Sequence, residues 1–185
     1  MDFSYLQLYK AWEKFKKGKK KTQSIDEFAY SLEDNLQKLG KDINNRCYKH
    51  GDYKKVVILE KKRRDLAVAE VRDRVVHRLV YDELVNIWDK SFDLDVWSSR
   101  TSKGLHGALA RTQKLLQKHQ YSYVWRADIT KFFDHVRHDV LLDCINHKTQ
   151  SNSKLFWLCN EIINSYSTLA NHPTTQPPKA YLLVI

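Results

Sequence analysis

The first 172 residues of this 185-residue chain contain no proline, and all three prolines (Pro173, Pro177 and Pro178) fall in the last thirteen positions. Proline breaks helix interiors and central strands, and this stretch carries none of it. Glycine is scarce too. Average usage would give about 13 Gly and about 9 Pro at this length, against 5 and 3 here. The length suits one domain, and 42% hydrophobic and 12% aromatic residues supply a real core, which excludes wholesale disorder. The abrupt appearance of proline marks a change of character near residue 170.

No apolar run approaches the roughly 20 residues of a membrane span, and MDFSYLQLYKAW has neither a basic start nor a continuous apolar stretch, so a signal peptide is not expected. Cys47, Cys144 and Cys159 are odd in number and widely spaced. They read as free thiols in a reducing compartment, which implies a cytoplasmic protein without membrane partners. The formal charge is +10, which suits an anionic partner. The surplus is concentrated: residues 1–78 carry 20 basic and 12 acidic side chains. One cluster runs Lys14, Lys16, Lys17, Lys19, Lys20, Lys21; a second is built from Lys61 to Arg64 with Arg72, Arg74 and Arg78. A lysine run alone reads as a solvated face. Two clusters in one half, near Trp12, Tyr48 and Tyr53, point towards phosphate contacts.

Ser24-Ile-Asp-Glu27 has capping-box spacing, and Phe28, Leu32, Leu36, Leu39 and Ile43 follow at helical intervals, which predicts a helix over 25–44. Tyr53–Leu59, the charged turn Glu60–Asp65 and Leu66–Val71 predict a basic hairpin. Helices are expected over 71–87, 105–119, 136–146 and 154–165, with a polar loop at Ser98–Gly104 and a strand from Tyr121 to Ile129. The expected class is α+β, dominated by helices, with one basic hairpin and one central strand.

The segment Tyr123-Val-Trp-Arg-Ala-Asp-Ile-Thr-Lys-Phe-Phe-Asp-His135 carries the most chemistry. A carboxylate at the end of an apolar strand can hold a divalent ion, with the carbonyl of Ile129 as a second oxygen ligand. An aromatic five residues on can close against a nucleotide sugar. Taken alone, Asp128 as a turn cap with Phe132 and Phe133 as core would be the better explanation of the segment. The wider context decides between them. Lys61–Asp65, Val71–His77, Ser99–His106 and Ala127–His135 follow one another in the order and spacing of bacterial reverse transcriptases. The chain resembles enzymes of the group II intron, retron and diversity-generating retroelement type, the last most of all, over about residues 10–167.

That resemblance implies a partial right-hand polymerase: an N-terminal helical extension (1–50), fingers (51–120) and the start of the palm (121–167), followed by an aberrant tail (168–185). It implies RNA-directed DNA synthesis with Mg²⁺ (or Mn²⁺), with dNTPs, a DNA primer and an RNA template as partners, and an accessory protein of a retroelement. Asp128 resembles the aspartate shared by both metal ions and Phe133, beside Phe132, the gate against a ribose 2′-OH. Arg64 and Lys62 match the residues that grip the triphosphate, while Arg100, Lys103 and His106 match a template-contacting loop. Arg72 and Arg74 lie two apart and diverge by about 200° on a helix, so they cannot share one face. Either one contacts template backbone while the other pairs with Asp73 or Glu70, or both make ordinary surface ion pairs, and the two readings weigh about equally. His77, among Val75, Val76 and Leu79, reads as a core histidine. Departures from the family pattern are Trp97 in place of Tyr or Phe, Ser102 in place of Gly, and Glu70 where proline is common.

The family joins two adjacent aspartates, in a Tyr/Phe-x-Asp-Asp hairpin, to the one at Asp128. No Asp-Asp pair occurs here, no Asp follows Asp143, and Glu161 is the only later carboxylate side chain. Two-metal transfer needs more carboxylate than this, so the chain is expected to be inactive alone. The tail suggests why. Lys179-Ala-Tyr-Leu-Leu-Val-Ile185 can be encoded as AAG GCA TAC CTA TTG GTA ATT. Regrouped one nucleotide earlier, the same bases encode Gly-Ile-Pro-Ile-Gly-Asn, the family's next motif, so a frame change between about Ser167 and Lys179 is expected. The alternative is a non-catalytic RNA-binding module that keeps the basic fingers.

Overall fold

A computed structural model describes residues 2–59, 63–130, 132–149 and 152–165, without the side chains of Arg64, Asp65, Phe133 and Asp134. Among them, seven α-helices and one two-stranded antiparallel sheet confirm a helix-dominated α+β chain. None of these helices is long and apolar enough to cross a membrane. Among the described residues two compact units are present, one built from residues 2–85 with 137–165, the other spanning Asn86–Val136.

In the first unit, α1 (Tyr5–Lys16) opens on a true capping box. The Ser4 hydroxyl accepts the Gln7 N–H at 3.3 Å and the Gln7 amide oxygen accepts the Ser4 N–H at 2.9 Å, which satisfies two of the orphan donors of a helix start. Its buried face is Leu8, Ala11, Trp12 and Phe15. The single helix expected over 25–44 is two, α2 (Gln23–Tyr30) and α3 (Leu32–Asn44), broken at Ser31 with φ −115° and ψ 42°. Asn35 stitches the break by donating its amide to the Phe28 carbonyl at 3.0 Å. The bend sets Phe28 against Trp12, ring centres 5.2 Å apart, while Leu36, Leu39 and Ile43 join the core. The expected box at Ser24 does not form, because α2 begins two residues earlier, after Thr22. Helices α1 and α3 approach closely at Gly40, where a methyl group would stand 3.1 Å from Leu8 Cδ1.

The hairpin forms as β1 (Lys54–Leu59) and β2 (Arg63–Val68), in register from Lys54 opposite Val68 to Leu59 opposite Arg63. The second strand starts and ends earlier than expected, and Val71 opens α4 (Val71–Trp88), whose buried face is Val71, Asp73, Val75, Val76, Leu79 and Val80. Helices α6 (His138–Lys148) and α7 (Ser153–Ser165) complete the unit. Leu155, Leu158 and Cys159 of α7 are buried, and burial pushes the Cys159 thiol up to about 12.

The second unit holds a 3₁₀ turn at Asp89–Ser91, a polar loop, α5 (Leu105–Lys118) and a 3₁₀ turn at Phe132–His135. The expected central strand, Tyr121–Ile129, is not formed. Its apolar pattern is real, but a strand exists only through a ladder partner, and none pairs with it among the described residues. Tyr121, Tyr123, Val124 and Trp125 are accordingly exposed.

Candidate functional site

The loop before α5 is held together by its own polar groups. Arg100 is its hub: Nε donates to Asp89 Oδ1 at 2.8 Å, Nη2 to the Asp89 carbonyl at 2.9 Å, and Nη1 to the Asp93 carbonyl at 2.9 Å. The guanidinium also lies over Phe92 at 5.5 Å. Arg111 of α5 reaches back to Asp95 with a bidentate pair at 2.9 and 3.0 Å, the geometry in which Arg–carboxylate pairs are strongest. The Arg100 and Arg111 guanidinium groups hold the Asp89 and Asp95 carboxyls below their usual range.

Trp97 anchors the loop's far side. It packs so tightly on Gly107 that a methyl group there would stand 2.6 Å from Trp97 Cζ3, and Lys103 Nζ lies 4.8 Å from its ring centre. Lys103 also donates to the Leu94 carbonyl. Ser99 and Ser102 adopt φ of 58° and 61°, the left-handed region where a side chain is unfavourable and glycine is at ease. Of the loop residues read as template contacts, Arg100 is thus engaged in shaping the loop, Lys103 straddles Trp97, and His106 stands exposed in the first turn of α5.

Further along the same unit, Ala127, Asp128, Ile129 and Phe132 line one open concavity of about 550 Å³. The Asp128 carboxylate is exposed and accepts the Ile129 N–H at 3.0 Å. Phe132, half exposed, stands on the 3₁₀ turn. The Phe133 side chain lies outside the described residues. A carboxylate and a backbone carbonyl are the hard oxygen donors that Mg²⁺ and Mn²⁺ take. Among the described residues no cluster of three ligating side chains accompanies them.

The arginines of α4 belong to the first unit and serve different ends. Arg72 donates to Asp42 Oδ2 at 3.2 Å and to the Lys49 carbonyl at 3.1 Å, with its head over Tyr48 at 4.8 Å. Arg74 lies over Phe15 at 5.0 Å, and its buried Nε has no hydrogen-bond partner among the described residues. Burial lowers its pKa. The Arg64 side chain and the whole of Lys62 lie outside the described residues.

Between the arginines is a group that sequence reading missed. Asp73 is 1% exposed; it accepts the Tyr48 hydroxyl at 2.8 Å and the Gly51 N–H at 3.1 Å. His50 Nδ1 lies 2.6 Å from the Gly51 carbonyl and must therefore donate to it. Its Nε2 shares a hydrogen bond with His77 Nε2 at 3.0 Å. Burial, then the neighbouring His50, lowers His77 to about 4, so His77 is neutral, as a core histidine should be. Burial and the Asp73 charge push the Tyr48 phenol far above its usual value. The network clamps the 48–51 connection onto α4 at the root of the hairpin. The signal was an aspartate at a core position of the 71–80 apolar face.

No protein-family model matches the chain, and no curated protein matches it.

Proposed function

We propose that this chain is the fingers and the beginning of the palm of a reverse transcriptase, an enzyme that adds dNTPs to a DNA primer on an RNA template. The reading is carried by Ala127–His135, in which carboxylate, following carbonyl and aromatic line one concavity, downstream of three further motifs in the family's order. The loop geometry supports it: Ser102, which stands where the family has glycine, adopts φ 61°.

A divalent ion, Mg²⁺ or Mn²⁺, would supply charge stabilisation for the transferred phosphoryl group, held by Asp128 and the Ile129 carbonyl. Phe133, beside Phe132, would exclude a ribose 2′-OH. Arg64 and Lys62, on a basic hairpin, would neutralise the triphosphate. Arg72 is occupied with Asp42 and Lys49, which leaves Arg74 as the α4 cation for template phosphate. Lys103 and His106 would touch the template strand from a loop that Arg100 shapes. One carboxylate does not complete such a centre, so the chain as given would bind without polymerising. The coding DNA tests this reading: the regrouped frame after Ser167 should run through Gly-Ile-Pro-Ile-Gly-Asn into a downstream Tyr/Phe-x-Asp-Asp. An uninterrupted frame with no such tetrad would overturn it.

A further inference from the structure

Outside these sites the most strongly built feature is the lysine run after α1. On a continuing helix, successive lysines would fan out at 100° steps and point in all directions. Here α1 ends at Lys16, and Gly18 adopts φ 74°, a turn that a side chain would strain. The turn folds the run back. Lys19 Nζ comes to 4.6 Å from the Phe15 ring and Lys16 Nζ to 5.9 Å from the Trp12 ring. Six lysines thereby line one groove of about 690 Å³, whose opposite wall is Ile25, Asp26 and Ala29 of α2.

Two of the six are neutralised, Lys14 by Asp82 at 2.8 Å and Lys16 by Glu13 at 2.7 Å. Lys17, Lys19, Lys20 and Lys21 have no carboxylate partner among the described residues. Four like charges converging on one concavity repel one another unless an anion fills it. The aromatic that lines it, Trp12, is buried, so it offers no apolar face for insertion into a membrane. One aromatic protrudes instead: Tyr30, at the end of α2, is 92% exposed and lies one turn beyond Asp26 on the same helix face. A cationic groove with an exposed aromatic on the helix that walls it offers the recognition chemistry of single-stranded nucleic acid, in which lysines track phosphates and a base stacks on the ring.

We infer that the α1–α2 groove binds a single strand of RNA or DNA, with Lys17, Lys19, Lys20 and Lys21 on the phosphodiester backbone and Tyr30 under a base. The site is separate from the nucleotidyl-transfer reading, since none of its residues belongs to that constellation, and it stands if that reading fails.

The test is fluorescence anisotropy of the full chain with labelled oligouridylate and oligothymidylate of about 20 nucleotides, long enough to cover one site. Four phosphate contacts contribute a salt slope of about −3, or roughly 50-fold in affinity between about 50 and 200 mM salt. The combined variant Lys17→Gln, Lys19→Gln, Lys20→Gln, Lys21→Gln should lose that share of the salt dependence. Tyr30→Ala should weaken binding about fivefold or more with the slope unchanged. Both changes are on the surface, and circular dichroism checks that the fold persists. Comparable effects on RNA and DNA support a backbone-directed site. Unaltered binding by both variants overturns it, as does a Tyr30→Ala variant that binds single strand and duplex alike with wild-type affinity. Binding of the wild type to phosphatidylserine vesicles but not to either oligonucleotide overturns it in favour of a membrane surface.

Discussion

Replacing Asp73 by alanine should cost more stability than any surface change in the chain. The carboxylate is 1% exposed and accepts two hydrogen bonds, from Tyr48 at 2.8 Å and the Gly51 N–H at 3.1 Å. Hydrogen bonds to a charged acceptor contribute about 1.5–3 kcal/mol each. Losing both, with a buried phenol and a buried amide left unsatisfied, should cost about 3–5 kcal/mol. Against a typical total of about 5–15 kcal/mol that is a large share. Tyr48→Phe removes one of the two bonds and should cost about 1–2 kcal/mol, so Asp73→Ala must exceed it. The assay is urea unfolding followed by far-ultraviolet circular dichroism, at neutral pH. The double variant should be less destabilised than the two single variants combined, by about 1 kcal/mol or more, because they share one bond. An Asp73→Ala variant within about 0.5 kcal/mol of wild type, the range of an ordinary surface substitution, would refute the clamp.

Three further outcomes follow from the same geometry. His77 is held neutral in the fold, its value lowered from 6.5 to about 4, so the unfolded chain takes up the proton first as pH falls. Its contribution to stability is complete above pH 6.5, declines between 6.5 and 4, and amounts to about 3 kcal/mol; the wild-type urea midpoint should fall across that window by more than that of His77→Gln, and parallel curves would contradict this. Ser102→Gly relieves a left-handed side chain at φ 61° and should gain about 0.5–1 kcal/mol, less the entropy glycine adds to the unfolded state; slower amide hydrogen exchange across residues 93–105 is the readout, and faster exchange would contradict it. Gly107→Ala drives a methyl group to 2.6 Å from Trp97 and should displace the indole, seen as a shift in tryptophan fluorescence with a blue or red change absent from Ala108→Ser.

The elements legible in the sequence are those set by local pattern. The face Val75, Val76, Leu79, Val80 places α4 within a residue of its observed end, and alternation flanking a charged turn gives the hairpin. The bend at Ser31 was not legible, because Phe28 to Ile43 keep their spacing through it; the break is set by Asn35 and by Phe28 meeting Trp12, a long-range contact. The Tyr121–Ile129 strand failed for the converse reason: pattern specifies a face, and only a neighbour makes a ladder. At the candidate site, Asp128, Ile129 and Phe132 share a concavity, while the aromatic five residues on, Phe133, has its side chain outside the described residues. The arginines were harder to read. A cation's partner is decided by the fold, and Arg100 and Arg72 meet carboxylates and carbonyls 4 to 30 residues away. Asp73 hid among charged neighbours because its partners lie 22 and 25 residues upstream. The lysine run became a groove through one glycine φ angle.

Primer extension on an RNA template, compared between the chain as given and the chain with its frame restored after Ser167, tests the polymerase reading most directly. Restored protein should add dNTPs in the presence of Mg²⁺, Asp128→Ala should abolish the addition, and the chain as given should add none. Extension by the chain as given, or by the restored protein carrying Asp128→Ala, would contradict it.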